Sequence, residues 1–363
     1  MSPFSPIHFI KENKTRCILL MFMLFLGYGV YLGGLYVSNP YDNWKLGLSY
    51  CDKHTLIQPA SFDEKGVSEF EAFVEAIEAT GKVKLLWHGE SSGFGWETIM
   101  GFESGRLSFT FRSVEDFKEY CEYLDIECDF TKLKSGSMIM SERFARNRDL
   151  KLGDKVDKNY DRNMYDEYTL DAMTSEEGYT LYFINDEPVD IYAAIVIGDG
   201  ISGEELYELV YDIQKEHNVW VQDSIRDNIK KEYETFDLIY TFVVMLLSVI
   251  LAVTINAAFV GMYQRRNYEF AVYRAIGISR KRIVGKIVGE LLLMDVIALI
   301  AGGAVFFLGL YLFNNLVLYP VGKYLCYYNL TALIGLVLCN LTVIIPLIIT
   351  RCRQLLKADI CEY

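Results

Sequence analysis

Four long apolar runs constrain this chain more than any other feature of its sequence. Residues 17–37 contain no charged side chain over 21 positions, and residues 238–262, 287–316 and 330–350 are also strongly apolar. A helix needs roughly 20 apolar residues to cross the core of a bilayer. Lipid offers the backbone no hydrogen-bond partner, so each run is expected to be helical. The sequence therefore predicts an α-helical membrane protein with four transmembrane helices.

The acidic residues are concentrated between the first two apolar runs. Residues 38–235 contain 21 Lys and Arg against 41 Asp and Glu, whereas the remainder has 14 basic and 7 acidic residues. Basic residues cluster before the first run, after the fourth run and within residues 264–290. The positive-inside rule then predicts that both termini and this loop are cytoplasmic and that the acidic segment is extracytoplasmic. We expect a multi-pass membrane protein whose first run is an uncleaved anchor and not a secretory signal.

Helical and strand patterns alternate within the acidic segment. Amphipathic helices are predicted over residues 68–80, 113–124 and 203–217, and strands over residues 83–87, 126–130, 191–197 and 218–222. Recurring strand-helix-strand units indicate a large α+β extracytoplasmic domain between transmembrane helices 1 and 2.

Residues 223–236 contain neither Pro nor Gly and lead directly into the second apolar run. With Asp223 or Ser224 as N-cap, one helix would extend to about residue 262, either as a stalk or as an ordinary solvated helix ending at a membrane. The predicted order is N-terminus and first span (1–37), α+β domain (38–222), stalk and second span (223–262), cytoplasmic loop (263–286), third span (287–316), outer loop (317–329), fourth span (330–350) and cytoplasmic tail (351–363).

The cytoplasmic loop has the pattern of a short helix, a turn and a second helix. Gly277 can adopt the left-handed conformation that ends a helix, and Ser279 can cap the helix that follows. The first helix is predicted from two pairs at helical spacing, Phe270 with Tyr273 and Val272 with Ile276.

The second helix of the loop is predicted to have two different sides. Ile283, Ile287 and Leu291 line one side, and Arg282 and Lys286 line another. On physical grounds alone, the segment is equally consistent with an interfacial helix on anionic lipid and with a docking element for a protein partner.

The loop also contains a specific order of residue types: a basic pair, an acid, an apolar residue, then Arg-Ala-x-Gly-x-Ser. The residues are Arg265, Arg266, Glu269, Phe270, Arg274, Ala275, Gly277 and Ser279, with Tyr273 directly before Arg274. This order resembles the cytoplasmic loop of FtsX-domain permeases, the membrane subunits of MacB-like ABC transporters. The family has an aliphatic residue where this chain has Tyr273.

A second stretch agrees with this resemblance. Residues 137–156 are similar to the family's extracytoplasmic-core signature, in which a strand ends in Ser-Glu, a helix carries Ala, and a Leu-x-x-Gly-Asp turn follows. The matching residues are Ser141, Glu142, Ala145, Leu150, Leu152, Gly153 and Asp154. Together with the order of spans and domain, the resemblance covers most of the chain.

The resemblance implies that the loop docks on a separate cytoplasmic ABC ATPase. The chain has no G-x-x-x-x-G-K-[ST] motif, so ATP and magnesium are expected on that partner and no cofactor or metal on this chain. In such permeases, movement driven by the ATPase reshapes the outer domain, which expels a peptide, lipid-linked or antibiotic-like substrate or works an external adaptor or cell-wall hydrolase. The other partners implied are a second permease chain, as a homodimer or heterodimer, and membrane lipid; no nucleic acid is expected.

A catalytic interpretation is the main alternative. Residues 89–93 fit the G-x-S-x-G pattern of a hydrolase nucleophile, with Ser91 in the central place. No helical pattern follows, and only His217 lies downstream as a base, so a tight Gly-rich turn is the preferred interpretation. A membrane-anchored serine hydrolase and a mechanical regulator without transport remain the alternatives. Cys121 and Cys128 could form a disulfide, although the domain does not require one.

Polar and small residues inside the spans carry further expectations. Asp295 is expected to pair across helices or to bond a polar group such as Asn256 or Asn340, and proton coupling is the sharper alternative. Gly302 and Gly303 permit close helix approach, which we expect at a subunit interface.

Overall fold

The structure is a computed structural model of the chain that describes residues 10–11, 14–48, 53–89, 95–104, 108–162, 164, 166–186, 193–222, 224–264 and 267–357. The chain divides into two compact units. The helical unit contains Met1–Ser38, Glu234–Phe313 and Cys326–Tyr363. The α+β unit contains Asn39–Tyr233 and Asn314–Leu325.

The described helices and strands are numbered in chain order. The helices are α1 (Lys14–Phe25), α2 (Gly27–Leu48), α3 (Glu64–Glu78), α4 (Val114–Leu124), α5 (Glu142–Asn147), α6 (Gly203–Gln214), α7 (Ser224–Gln264), α8 (Asn267–Ala275), α9 (Arg280–Phe313) and α10 (Leu330–Lys357). The strands are β1 (His54–Pro59), β2 (Val83–Gly89), β3 (Gly95–Glu97), β4 (Phe102–Ser104), β5 (Ser108–Phe111), β6 (Ser137–Ser141), β7 (Lys155–Val156), β8 (Tyr168–Thr174), β9 (Leu181–Ile184), β10 (Ala193–Gly198) and β11 (Val219–Val221).

The α+β unit is built on a mixed sheet whose strand order is β11-β1-β10-β2-β5-β9-β6-β8-β7. Neighbours are antiparallel except for the parallel pairs β5 with β9 and β6 with β8. The strands β3 and β4 form a separate antiparallel pair. The three predicted amphipathic helices are confirmed as α3, α4 and α6, and three of the four predicted strands as β2, β10 and β11.

The fourth predicted strand, over residues 126–130, is wrong. Asp125 ends α4 in the left-handed conformation, and Ile126 N–H donates back to Cys121 O at 2.9 Å. This segment has only an isolated bridge between Cys128 and Thr174. The apolar residues that suggested a strand instead pack under α4, because the helix cap turns the chain back onto the sheet.

Helices cover both faces of the sheet. On β10, Ala194 and Val196 pack with α3 and α6, whereas Ile195 and Ile197 pack with α4 on the opposite face. This alternation is the expected consequence of successive side chains pointing to opposite faces of a strand. Continuous apolar strand residues are therefore buried on both sides.

The helical unit contains helices long and apolar enough to cross a membrane. Among the described residues there are three such segments, Leu238–Ala258, Arg280–Val321 and Leu330–Arg353. The first apolar run is divided at Leu26, whose carbonyl accepts from Gly29 N–H at 2.9 Å in a tighter turn between α1 and α2. The protein is therefore a membrane protein, and the fourth span stays a prediction.

A single helix, α7, runs for 41 residues from Ser224 to Gln264. The sequence predicts one helix to about residue 262, so the continuous helix is confirmed. Asp223, the other predicted cap, lies outside the described residues. At about 1.5 Å per residue, α7 is roughly 60 Å long, which is twice the thickness of a bilayer core.

The glycines of α9 make close contacts within this chain. A Cβ on Gly302 would lie 2.7 Å from the ring of Phe25, and a Cβ on Gly303 would lie 2.7 Å from the hydroxyl of Tyr28. Tyr28 donates from that hydroxyl to Leu299 O at 2.8 Å. The expectation of a subunit interface at these glycines is therefore wrong, because aromatic residues of α1 and α2 already occupy the space.

Candidate functional site

The segment from α8 to the start of α9 forms the helix, turn and helix predicted from the sequence. Gly277 has a φ of 88°, in the left-handed region. Its N–H donates to Arg274 O at 3.0 Å, and Ile278 N–H donates to Tyr273 O at 3.0 Å. This pair of bonds is the Schellman motif that ends many helices with glycine. The next helix, α9, begins directly after Ser279.

One side of α8 faces inward. Phe270 is buried in a cluster with Ile283, Ile287 and Leu291, the three residues predicted to line one side of the next helix. Because this cluster also includes residues of α7 and α10, α8 is packed against the helices of its own unit. The Phe270 position is therefore part of the helical core.

A polar cluster fixes α8 to α9 beside this core. Lys286 Nζ lies 3.0 Å from Glu269 Oε1, and its side chain is only 4% exposed. Tyr273 Oη donates to the same Glu269 oxygen at 3.0 Å, and Lys286 Nζ donates to Tyr273 Oη at 3.2 Å. Lys286 was predicted on the same side as Arg282, which is exposed. The two positions lie four residues apart in α9 and so share a side of the helix, but Lys286 is buried where it meets the Glu269 carboxylate.

The opposite side of α8 presents apolar side chains to the surroundings. Tyr268 is 71% exposed, Val272 is 40% exposed and Ile276 is 69% exposed. Tyr268 and Val272 lie four residues apart in α8, and Ile276 follows directly after the helix with its N–H still bonded to Val272 O at 3.1 Å. These three residues are called the exposed stripe from here on. In the sequence, the spacing of Val272 and Ile276 indicated only a helix and did not identify the stripe as a surface.

The remaining loop residues of the predicted site surround the stripe. Ala275, Gly277 and Ser279 are exposed, and Arg274 is partly buried. The three basic residues at the start of α9 are exposed as well: Arg280, Lys281 and Arg282. Arg265 and Arg266 lie outside the described residues.

The predicted intramembrane polar residues form two separate contacts. Asn340 Nδ2 of α10 donates to Asp295 Oδ1 of α9 at 2.7 Å. Asn256 of α7 instead accepts from Arg351 Nη2 at 2.9 Å and from Thr350 Oγ1 at 3.2 Å. The structure therefore brings Asp295 and Asn340 together, whereas Asn256 contacts Thr350 and Arg351. A role of Asp295 in proton coupling stays a prediction.

The core-signature stretch forms β6, α5 and a tight turn. Ser141 caps α5 by accepting from Phe144 N–H at 3.3 Å, and its hydroxyl donates to Gly178 O at 2.6 Å. Gly153 has a φ of 93°, and the Asp154 carboxylate accepts from Lys151 N–H at 2.7 Å. The other residues of the stretch are Glu142 in the first turn of α5, Ala145 and Leu150 in the core, and the exposed Leu152.

The catalytic alternative centres on Ser91 and His217. Ser91 and its neighbours 90–94 lie outside the described residues. The ring of His217 makes an edge contact with Phe73 at 5.8 Å.

Cys121 and Cys128 are free thiols, and burial raises the pKa of Cys128 to about 12. In the described ranges, no three His, Cys, Asp or Glu residues are grouped to hold a metal.

Comparison with known families bears on the helical part of the chain. Residues 239–354 match the FtsX-like permease C-terminal domain. This permease domain contains α8, the exposed stripe and both pairs of intramembrane contacts. The match supports an FtsX/MacB-type permease family, whose members are generally non-catalytic and typically work with a cytoplasmic ATPase. A search of curated proteins found no match. The permease domain does not include residues 137–156, so the core-signature resemblance stays a prediction.

Proposed function

We propose that this chain is the permease subunit of an FtsX/MacB-type ABC transporter and that a separate cytoplasmic ATPase docks on the exposed stripe. The observation that carries the proposal is the division of α8 into two faces. Phe270 and the Glu269–Lys286 pair hold one face to the helical unit, while Tyr268 and Ile276 remain exposed on the other.

This division suits a docking element. Aromatic and aliphatic side chains that fill pockets of a partner contribute most of the affinity at protein interfaces. A helix that is already fixed in place loses little conformational freedom on binding. The exposed basic residues at the start of α9 add charge that can steer an acidic partner surface.

In this proposal, ATP and magnesium bind to the partner ATPase, and its movement passes through α8 to the transmembrane helices. Both chain termini and α8 face the cytoplasm of a bacterial cell, and the α+β unit is extracytoplasmic with a MacB-like core. A second permease chain completes the membrane assembly. The basic and apolar composition of the loop and the family match support this arrangement.

The output of the movement has two forms in this proposal. The first is export of a peptide, lipid-linked or antibiotic-like substrate, with an external adaptor as a further partner. The second is mechanical regulation of an external cell-wall hydrolase. A neighbouring gene for an adaptor or exported peptide would favour export, and one for a secreted wall hydrolase would favour regulation.

Substitutions in the exposed stripe test the docking surface. Ile276→Asp and Val272→Asp place a charge where an apolar contact is expected, and each should cost about 2 kcal/mol, or roughly thirtyfold in affinity. The measurement is binding of the purified chain in nanodiscs to a purified ABC ATPase from the same organism. Phe62→Asp in the α+β unit is the matched control, because Phe62 is 67% exposed. Unchanged binding by both stripe variants would refute the docking surface.

A separate measurement tests the alternative that α8 lies on the surface of anionic lipid. An environment-sensitive fluorophore on Ile276→Cys should report an aqueous surrounding in nanodiscs of anionic lipid and a shift to a drier one on adding the ATPase. An apolar signal in anionic nanodiscs before the ATPase is added would instead identify α8 as a membrane-surface helix.

A further inference from the structure

The connection between α9 and α10 is folded into the α+β unit. Asn314–Leu325 belong to that compact unit, although α9 and α10 themselves belong to the helical unit. A π-helical turn, Asn314–Leu318, and a 3-10 turn, Tyr319–Val321, form the connection. Single π-helical turns are often found at functional sites, and 3-10 turns are common connectors after helices.

Side-chain amides close the connection into a defined loop. Asn314 Nδ2 donates to Leu325 O at 2.8 Å, and Leu325 N–H donates to Asn314 Oδ1 at 3.2 Å. Asn39 Nδ2 donates to Tyr324 O at 2.6 Å. The loop therefore has a fixed shape at its base, and its tip is at Gly322.

The carbonyl of Gly322 is held by two buried side chains of the α+β unit. Tyr179 Oη donates to Gly322 O at 2.9 Å, and Arg143 Nε donates to the same oxygen at 3.3 Å. The guanidinium carbon of Arg143 lies 4.6 Å from the ring centre of Tyr179 and 5.6 Å from that of Tyr324. A second nitrogen of Arg143 donates to Glu177 O at 2.9 Å.

The contact brings two backbones together. A Cβ on Gly322 would overlap the carbonyl oxygen of Arg143 and lie 2.5 Å from the amide nitrogen of Asn147. Gly322 also has a φ of 62°, which glycine adopts without strain. Since backbone atoms cannot swing aside as a flexible side chain can, only glycine fits between the loop and α5.

Polar contacts surround this point. Lys323 Nζ lies 3.0 Å from Glu97 Oε2. The backbone of Glu97 exchanges hydrogen bonds with the amide of Asn147, at 2.7 Å and 2.9 Å. The same amide donates to Val321 O at 3.4 Å. Strand β3, helix α5 and the connection are thus joined through Asn147.

We propose that Asn314–Leu325 is a mechanical attachment through which α9 and α10 move the α+β unit, with Gly322 and Arg143 as its positioning residues. The connection is covalently continuous with α9 and α10 and is bonded to α5. It therefore supplies a route for movement in addition to α2 and α7, the two helices that continue from the helical unit into the α+β unit. The direction of movement rests on the proposed function, whereas the attachment does not.

Hydrogen exchange on the full chain in nanodiscs tests the attachment. Gly322→Ala should raise exchange by about tenfold or more at the amides of residues 319–325 and 143–148 together. Gly309→Ala is the matched control, because a Cβ on Gly309 of α9 meets no atom within 4 Å. Unchanged exchange in Gly322→Ala would overturn the attachment.

Swapping the charges of Glu97 and Lys323 tests the attachment without a glycine substitution that could simply misfold the chain. Glu97→Lys and Lys323→Glu should each raise exchange over residues 319–325, and the double variant should restore it. Single variants without effect, or a double variant worse than both, would contradict the role of this pair.

The transmission of movement is tested with the ATPase added. ATP should change exchange at residues 143–148 in the wild-type chain and fail to do so in Gly322→Ala. A variant that binds the ATPase and relays the change as the wild type does would overturn the transmission. A wild-type chain that binds no ATPase would remove the proposed function alone, since the attachment measurement needs no partner.

Discussion

Glu269 and Lys286 illustrate how one ion pair can explain both the acidic residue of the family-like motif and a buried lysine in the next helix. The side chain of Lys286 is almost fully buried, and an uncompensated ammonium would be costly there. Glu269 supplies a carboxylate at 3.0 Å while remaining about one-third exposed. The acid of the loop therefore orients α8 within its own chain, and the proposed docking surface lies on the other face of the helix.

The difference in burial predicts unequal effects of removing each partner. Glu269→Gln leaves a buried ammonium without this carboxylate and should lower the free energy of unfolding by about 3 kcal/mol. Lys286→Leu leaves a carboxylate that water can reach and should cost about 1 kcal/mol or less. Denaturation in detergent measures both losses of stability, with the variant that carries Glu269→Gln and Lys286→Leu together as the control. A larger loss for Lys286→Leu would contradict the assignment.

Among the secondary-structure elements, α9 shows how glycine sets helix packing. Gly302 and Gly303 allow Phe25 and Tyr28 to approach the α9 backbone, whereas Gly309 has open space beside it. Small residues let transmembrane helices approach closely in general, but the pattern alone does not say which helix approaches. Here the partner helices belong to the same chain.

A pair of alanine substitutions tests that packing. Gly303→Ala should displace the Tyr28 hydroxyl, weaken its hydrogen bond to Leu299 O and lower the midpoint of thermal denaturation in detergent. Gly309→Ala should leave the midpoint unchanged or raise it slightly, because alanine favours helix by about 1 kcal/mol over glycine. Equal effects of the two substitutions would contradict the described contact between α9 and Tyr28.

The N-terminus of α3 should respond to pH. Hydrogen bonds from the Ser61 hydroxyl and then from Gly66 N–H lower the pKa of Asp63 below its ordinary 3.8. A lowered pKa means that the stabilisation is present above the ordinary value and is lost as pH falls through the folded value. Asn is nearly as good a cap but does not titrate.

We therefore expect the stability difference between wild type and Asp63→Asn to shrink as pH falls below about 4. Thermal denaturation of both proteins across this range measures the difference. A difference that grows on acidification would show that the Asp63 carboxylate is not stabilised as described.

For the protein as a whole, membrane topology is the main prediction. The clustering of basic residues around residues 264–290 predicts a cytoplasmic loop and an extracytoplasmic α+β unit. In a chain with native cysteines replaced by serine, Asn267→Cys should resist a membrane-impermeant thiol reagent in intact cells, and Asp186→Cys should react. Labelling of both positions would reverse the proposed orientation of α8.

Local patterns predicted much of the fold, because they depend on neighbouring residues. The spacing in α3, α4 and α6 and the glycine at position 277 predicted those helices and the turn. The burial of Lys286 and the partners of Gly302 depend on residues far along the chain or on competing contacts, so no local pattern shows them. Phe270 and Val272 each belong to a pair at helical spacing, Phe270 with Tyr273 and Val272 with Ile276. Only packing decides which of the two is buried.

The same reasoning explains why the connection between α9 and α10 was predicted only as a short outer loop. Arg143 and Gly322 are separated by 179 residues in sequence. A single sequence carries no signal for a backbone contact at that distance. The motif containing Ser141 and Glu142 nevertheless predicted a strand followed by a helix, and β6 and α5 lie there.

Photo-crosslinking from α8 tests the proposed docking of the ATPase without relying on destabilised variants. A benzoylphenylalanine at Ile276 should give a covalent product of this chain with an ABC ATPase of the same cell, in native membranes. The same group at Phe62, which is also exposed, should give none. Capture of the ATPase from position 276 alone is the predicted result. Products at position 276 that contain only lipid, or no product in membranes holding both chains, would contradict the account.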